Sequence, residues 1–280
     1  KSLIALAVLA ASGAALAQSS VTLYGVVDLG VGRVDYDAEN LGVKLRGVKT
    51  QMQGNALVNN GVSRIGFRGV EDLGGGLKVG FNYEQGINAE SGAASGYGRQ
   101  ANVWVEGGFG QFKMGRALTP SYNGMEVWEL LGAPVYSVVG NTYGYVGKVS
   151  ARNNSQFSYK TPVFGGFSGE IGFVTKGDCN SDFEYSCGTN NHKLDANVAY
   201  VNGPLGVAFS ANKVSKAKTN YALGGKYDFG MFTLAASYND ARNHETRSNE
   251  GKVTGVNRRS GFTIGGLVKF DNVSVALDVA

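Results

Sequence analysis

Residues that could support bond-making chemistry are few in this sequence, and their spacing does not form a catalytic pattern. Gly30-Val-Gly-Arg-Val-Asp35 begins like a dinucleotide fingerprint, but it lacks the third glycine and lies within an alternating stretch. His192 and His244 lie in polar stretches without periodically spaced partners, and no serine is singled out by its surroundings. The sequence therefore predicts that the protein is not an enzyme and uses no cofactor.

Residues 1–17 have the features of a secretory signal peptide. Lys1 precedes the apolar run LIALAVLAASGAA, and Ala15-Leu16-Ala17 offers small residues at a cleavage site. A buried core helix is the alternative. A transmembrane helix is not expected, because the run is too short to span a bilayer. We therefore predict an exported domain over residues 18–280. The loss of Lys1 would lower the net charge from +4 to +3. A small positive charge without Lys/Arg runs gives little support to nucleic-acid binding.

The two cysteines are predicted to form a disulfide in an outside loop. Cys179 and Cys187 lie in the polar stretch KGDCNSDFEYSCGTNN, and an exported chain meets oxidising conditions. A metal site that includes His192 is the alternative. Two thiols and one histidine match no common zinc spacing, so no metal is expected.

The elements that position any functional residue are predicted to be β-strands. Side chains alternate between apolar and polar along almost the whole chain, which indicates about 13 strands. Short connections alternate with long polar ones, at about 35–60, 86–98, 118–151, 176–192, 213–218 and 240–258. An up-and-down meander puts the short turns at one rim and the long loops at the other, as in an antiparallel transmembrane β-barrel.

The usual inside and outside of a β-protein are predicted to be exchanged. Charged residues make up only 17% of the chain, and aromatic residues cluster near predicted strand ends. The apolar set should therefore face lipid and the polar set a wet lumen, lined by Tyr24, Asp28, Lys78 and Lys160, with Lys148 at a loop end. Such a sheet must close, because unpaired backbone groups are costly in hydrocarbon. An odd strand number, and an end at Ala280 within an alternating run, lead us to expect missing C-terminal strands.

Four segments make the sequence similar to the general porins of the bacterial outer membrane, particularly the betaproteobacterial type. They are SSVTLYGVVDLGV, SRIGFRGVEDLGGGLKVGFNYEQG, RQANVWVEGGFGQFKMGR and NNSQFSYKTPVFGGF. The resemblance implies a 16-stranded barrel and a homotrimer in contact with outer-membrane lipid and lipopolysaccharide. It also implies an inward-folded third loop and passive diffusion of ions and small hydrophilic solutes. Family members typically end in an aromatic residue, whereas this chain ends in Ala280.

The resemblance assigns the role of the third loop to residues 118–151. Between Ala117 and Gly147, the loop's only ionisable acids and bases are Glu126 and Glu129, and one helical turn would place both on one face. An ordinary solvated loop is the alternative, but MEVWELLGAPVYSVV is unusually apolar for one. The family's Pro-Glu-Phe-Gly loop motif is absent, so the acid that faces the pore is left open.

Opposite charge is expected from the wall. Arg64, Arg68 and Arg152 have lumen parity. Arg99 lies where family members carry a constriction arginine, but its parity turns it outward unless a bulge intervenes. A solvated rim charge is the alternative for each. Arginines facing glutamates across an aqueous gap would order water and favour anions.

The expected function is a weakly anion-preferring pore. Two alternatives remain open at this point: an outer-membrane barrel enzyme, and a soluble exported β-sheet protein that binds or adheres. Lipid hydrolysis would favour the first, and extraction from membranes without detergent would favour the second.

Overall fold

The structure is a computed structural model that describes residues 20–40, 43–54, 59–132, 137–143, 151–175, 192–215, 217–247, 253–271 and 273–280. Four features predicted from the sequence lie outside these ranges: the signal peptide, Lys148, Cys179 and Cys187.

The described residues form fifteen β-strands and two short helices. The strands are β1 (Ser20–Val26), β2 (Gly30–Asn40), β3 (Val43–Gln53), β4 (Arg64–Gly74), β5 (Leu77–Gly86), β6 (Gln100–Gly107), β7 (Gly110–Leu118), β8 (Arg152–Lys160), β9 (Phe167–Val174), β10 (Lys193–Asn202), β11 (Leu205–Val214), β12 (Asn220–Asp228), β13 (Phe232–Arg247), β14 (Val253–Phe270) and β15 (Val273–Val279). The helices α1 (Pro120–Met125) and α2 (Val138–Tyr143) both lie between β7 and β8. No helix in the described ranges is long and apolar enough to cross a membrane.

Thirteen strands form one antiparallel sheet in the order β1, then β4 through β15, and β2 pairs with β3 in a separate hairpin. Successive strands are neighbours, so the predicted up-and-down, all-β fold is confirmed. The short turns lie at one rim, which we call the short-turn rim. Gly165 and Gly166 show why glycine recurs there, because both adopt positive φ (56° and 89°) in a tight turn.

Two predicted loops are wrong in part, because both contain strand. The predicted loop at 35–60 holds the end of β2 and all of β3, and the one at 240–258 holds the ends of β13 and β14. In the first, the register places Asp37 opposite Arg46 and Glu39 opposite Lys44. The loop was predicted from the many charged residues of this segment, although Val34, Tyr36 and Ala38 alternate with charged residues there.

The two faces of the sheet are exchanged as predicted. The outward-facing side chains are large, apolar and exposed, as Leu23 (66%), Val198 (57%) and Phe262 (69%) illustrate. Buried side chains of the opposite face are mostly polar, among them Asn102, Gln156, Asn197, Ser210, Asn212 and Asn239. A continuous exposed apolar surface indicates contact with lipid or another protein.

Aromatic rings collect near the strand ends, where the two membrane interfaces would lie. At the short-turn rim, Phe112 packs on Tyr159 with ring centroids 4.7 Å apart, and Phe167 packs on Tyr200 at 4.6 Å. At the opposite rim, Tyr83 near the end of β5 packs on Tyr97 with ring centroids 5.2 Å apart. The predicted aromatic girdles are therefore present in the described part of the sheet.

Candidate functional site

The described residues of the loop between β7 and β8 lie against the inner wall instead of projecting away from it. Helix α1 begins after Thr119, whose Oγ1 accepts a hydrogen bond from the backbone N–H of Tyr122 (3.3 Å), and Pro120 occupies the first turn. Both choices suit a helix start, because the cap satisfies an N–H group and proline has none to lose. The loop therefore turns into a helix as soon as it leaves β7.

A buried aspartate fastens α1 to the wall. One carboxylate oxygen of Asp195 accepts the backbone N–H of Ser121, and the other accepts its Oγ–H at 3.0 Å. Asn197 Nδ2 donates to the carbonyl of Pro120 at 2.6 Å, and Ser210 Oγ donates to the carbonyl of Ser121 at 3.0 Å. Strands β10 and β11 thus satisfy the polar groups of the first helical turn.

Glycines of the wall make room for the loop. A Cβ atom on Gly224 would overlap the Trp128 ring, and one on Gly172 would lie 3.0 Å from the Pro120 ring. Met125 and Trp128 have no exposed surface and pack with wall alanines. This packing explains why the loop sequence is so apolar.

The two loop glutamates lie in different environments. The expectation that both would lie on one face is therefore wrong. Glu126 is exposed, and its carboxylate makes no hydrogen bond or ion pair with any residue in the described ranges. Glu129 is only 4% exposed. Its carboxylate accepts the backbone N–H of Leu131 at 3.0 Å and the hydroxyl of Ser137. The helix ends at Met125, before either glutamate, which is why helical i, i+3 spacing does not apply.

Burial raises the pKa of the Glu126 carboxyl, and the positive charge of Arg152 opposes this rise. The side chain is exposed, but the loop and wall around it limit its hydration. Tyr122 on α1 responds to the same surroundings, since burial and the nearby Glu126 charge raise its pKa.

A second group of charges lies on strands β4 to β8 and is centred on Glu84. This buried carboxylate pairs with Arg99 at 2.5 Å, accepts the Tyr24 hydroxyl at 2.9 Å and lies 3.9 Å from Arg64. Arg152 joins the group by donating its Nε–H to the backbone carbonyl of Arg99 at 2.9 Å. The structure therefore brings together Arg64, Arg99 and Arg152.

Arg99 reaches this group although strand parity turns it outward. It lies at a bend before β6, and its backbone N–H donates to the carbonyl of Glu84 at 3.1 Å. The side chain is then free of the alternation that begins at Gln100. Parity does not set its orientation, because alternation does not extend to residues outside the paired strand.

Sequence reasoning missed Arg116 and Glu84. Arg116 has outward parity in β7, but the pairing with β8 shifts between Gly115 and Ala117, and Gly115 has φ +118°. Its guanidinium donates to the Gly98 carbonyl and the Asn154 side chain. A glycine before an arginine in a strand is the signal that could have indicated this bulge.

The other predicted lining residues are more dispersed. Arg68 is exposed, with its guanidinium carbon 5.7 Å from the centre of the Tyr24 ring. Asp28 binds the segment that precedes β4. Its carboxylate accepts hydrogen bonds from Asn59 Nδ2 and the Gly61 N–H, both at 2.8 Å. Lys78 and Lys160 lie close to the short-turn rim, away from the arginine group.

Comparison with known proteins supports the same fold and family. Residues 3–280 match the Gram-negative porin family. The chain is 39% identical to outer membrane porin protein 32 of Delftia acidovorans and 31% identical to an outer membrane porin protein of Bordetella pertussis, over 85% of this chain in both cases. It spans 66% and 68% of the length of these two relatives.

Two solved porin structures have the same fold as this chain. An anion-selective porin from Comamonas acidovorans superposes with a TM-score of 0.71 at 29% identity, over 93% of this chain and 78% of that one. Salmonella typhi OmpF shares the fold, with a TM-score of 0.65 at 19% identity over 92% of this chain and 78% of that one. The chain therefore belongs to the Gram-negative porin family, whose members are outer-membrane channels and not enzymes.

Proposed function

We propose that the protein forms a water-filled channel for the passive diffusion of ions and small hydrophilic solutes, with a weak preference for anions. The observation that carries this proposal is the loop itself. Helix α1 is hydrogen-bonded to the inner face of β10 and β11, while Glu126 in the same loop is exposed. A loop held inside the wall narrows the lumen, and the charges beside it then act on every ion that passes.

The anion preference follows from the balance of charge at this level. Arginines outnumber acids, because Arg64, Arg99, Arg116 and Arg152 are set against Glu84 and Glu126, while Glu129 is buried in the loop. Glu84 is already engaged by two arginines and a tyrosine. Excess positive charge at a narrow aqueous passage raises the local concentration of anions. The similarity to a porin described as anion-selective supports the same direction.

We also propose that the protein works as a homotrimer in contact with outer-membrane lipid and lipopolysaccharide. The outer face of β5 to β7 holds an apolar groove of about 620 Å³, with Val79, Phe81, Val103, Phe112 and Met114 in its lining. This surface suits either a second copy or acyl chains. Chemical crosslinking of the purified protein in detergent tests the trimer, and a crosslinked product no larger than a monomer contradicts it.

Reversal potentials across a potassium chloride gradient in planar bilayers test the channel. The full-length protein should conduct and favour chloride. Changing Arg64 and Arg152 together to alanine should increase conductance and move the reversal potential toward cation preference. Lys213→Gln is the matched control, because this exposed residue follows the outward-facing parity of Leu194. Absence of conductance rejects the channel, whereas an unmoved reversal potential rejects only the arginine assignment.

A further inference from the structure

The inner wall carries a row of alternating charges near the short-turn rim, away from the arginine group. Five adjacent strands contribute one residue each to this row, and the register aligns Lys78, Glu106, Gln111, Lys160 and Glu170. Residues directly opposite each other in antiparallel strands have Cβ atoms about 5 Å apart. Positive and negative side chains therefore alternate along one line of the channel wall.

A cavity of about 280 Å³ lies over part of this row. Its lining includes Glu106, Gln111, Lys113, Lys160 and Glu170 from the wall, and Asn123 from α1. Asn123 Nδ2 donates to Glu170 at 2.8 Å, which ties the loop to the wall at this point. The volume is just below the range of about 300–1,000 Å³ typical of drug-sized ligands, so it suits a solute of metabolite size.

The charged groups of this cavity keep hydrogen-bonding capacity for a solute. Glu106 accepts the Gln111 amide at 2.7 Å and Glu170 accepts the Asn123 amide, so each carboxylate keeps an oxygen for another donor. Within the described ranges, neither Lys113 nor Lys160 makes a hydrogen bond or ion pair, although Lys160 is directly opposite Glu170 in the register. By contrast, the carboxylate of Glu84 is fully engaged.

We propose that this cavity is a second solute site of the channel and that it binds small zwitterions of amino-acid size. The ammonium groups of Lys113 and Lys160 bind the solute carboxylate, and the remaining oxygens of Glu106 and Glu170 bind its ammonium group. Charge-assisted hydrogen bonds of this kind are stronger than neutral ones. A simple anion would meet two carboxylates and a simple cation two ammonium groups, so a zwitterion is favoured by electrostatic complementarity.

This proposal rests on the proposed channel function and adds a substrate class to it. The cavity is lined by Asn123 of α1 and by Gly107, Gly110 and residues 161–163 at the neighbouring short turns, so it lies on the short-turn side of the loop. A solute entering from that side reaches the cavity before it passes the loop. The concentration of solute needed to block the current should therefore depend on the side of the membrane to which the solute is added.

Single-channel current in planar bilayers tests the site with three probes of similar size: L-alanine, propionate and propylammonium. Each is added to one compartment at a time at constant salt and pH. L-alanine should reduce the open current at lower concentrations than either probe with a single charge, and more effectively from one side than from the other.

Variants separate the site from general electrostatics. Lys113→Gln should raise the half-blocking concentration of L-alanine about three- to tenfold, the size expected for one charged hydrogen bond in a partly wet site. Glu170→Gln keeps an acceptor for Asn123 and should weaken block by L-alanine without weakening block by propionate. Lys213→Gln on the outer face should change neither.

Stronger block by propionate than by L-alanine would overturn the zwitterion assignment, and so would equal block by all three probes. Unchanged L-alanine block in both Lys113→Gln and Glu170→Gln would show that the cavity is not the site. The open conductance in potassium chloride is the separate check on the channel, because it tests the proposed function and requires no solute site. Conductance without selective block therefore rejects this inference alone.

Discussion

Replacing Glu126 with glutamine should increase the anion preference of the channel. The change keeps the size and shape of the side chain while removing an exposed carboxylate. No hydrogen bond to this carboxylate would be lost within the described part of the chain. The substitution therefore isolates charge from loop geometry.

The size of the effect follows from the position of the charge in a wet passage. An ion passing about 5 Å from the carboxylate interacts with it by about 0.8 kcal/mol at the dielectric constant of water. Screening with a Debye length of about 8 Å reduces this to about 0.4 kcal/mol at physiological salt. Removal of the charge favours anions and disfavours cations equally, so the permeability ratio should rise about fourfold. At about 0.01 M salt, where the Debye length is about 30 Å, the rise should approach tenfold.

Glu129→Gln is the informative comparison. Glu129 is buried and both of its carboxylate oxygens accept hydrogen bonds from the loop. Glutamine has a single acceptor oxygen, so one donor loses its partner at a cost of about 1–3 kcal/mol. We expect a lower thermal stability, measured by loss of strand circular dichroism, and a change in selectivity less than half that of Glu126→Gln.

Reversal potentials across a potassium chloride gradient decide between the two residues. The reasoning is refuted if Glu129→Gln shifts the permeability ratio as much as Glu126→Gln, because a buried, hydrogen-bonded carboxylate would then control the passage. An effect of Glu126→Gln that does not grow as the salt is diluted would also refute it, since a screened Coulomb interaction must do so.

Three further outcomes follow from the loop and its surroundings. Because burial raises the pKa of Glu126, acidification should neutralise this carboxylate before an ordinary glutamate. Reversal potentials should therefore show anion preference increasing as pH falls from about 7 to about 4. The Glu126→Gln variant should not show this increase. Asp195→Asn removes one of the two acceptors used by the serine of α1, so thermal stability should fall by about 1–3 kcal/mol and current noise should increase. Gly224→Ala should displace Trp128 and change single-channel conductance, whereas Gly108→Ala, whose Cβ would meet open space, should not.

The fold was predictable because one simple pattern runs through most of the chain. Alternation placed Phe67 and Tyr83 on the outer face and Arg64 and Arg68 on the inner face, and the register confirms that Phe67 is opposite Tyr83. A side-chain period of two leaves no other arrangement once one face must be apolar. The hairpin of β2 and β3 escaped prediction because its charged residues were interpreted as a polar loop, although Val34, Tyr36 and Ala38 alternate with Asp35, Asp37 and Glu39.

The candidate site was less predictable, because its chemistry depends on contacts between distant segments. Nothing in the spacing of Glu126 and Glu129 indicates that Ser137 and Leu131 would enclose the second and leave the first exposed. Likewise, Asp195 lies in an ordinary alternating strand, and only the folded loop brings Ser121 to it. The apolar composition of the loop predicted that it packs on a wall, but not which wall residues would receive it.

The arginines near the loop show why a periodic rule is least reliable at the proposed constriction. Arg99 precedes its strand at a bend, Arg116 lies at a bulge beside a positive-φ glycine, and Arg152 is the first residue of the strand that follows the loop. Regular strands space inward side chains two residues apart on each strand, which limits how many charges can converge on one level. Bends and bulges relax that limit by re-aiming side chains. A concentration of positive charge beside Glu126 therefore requires departures from alternation, and those departures are what a period-two reading of the sequence cannot follow.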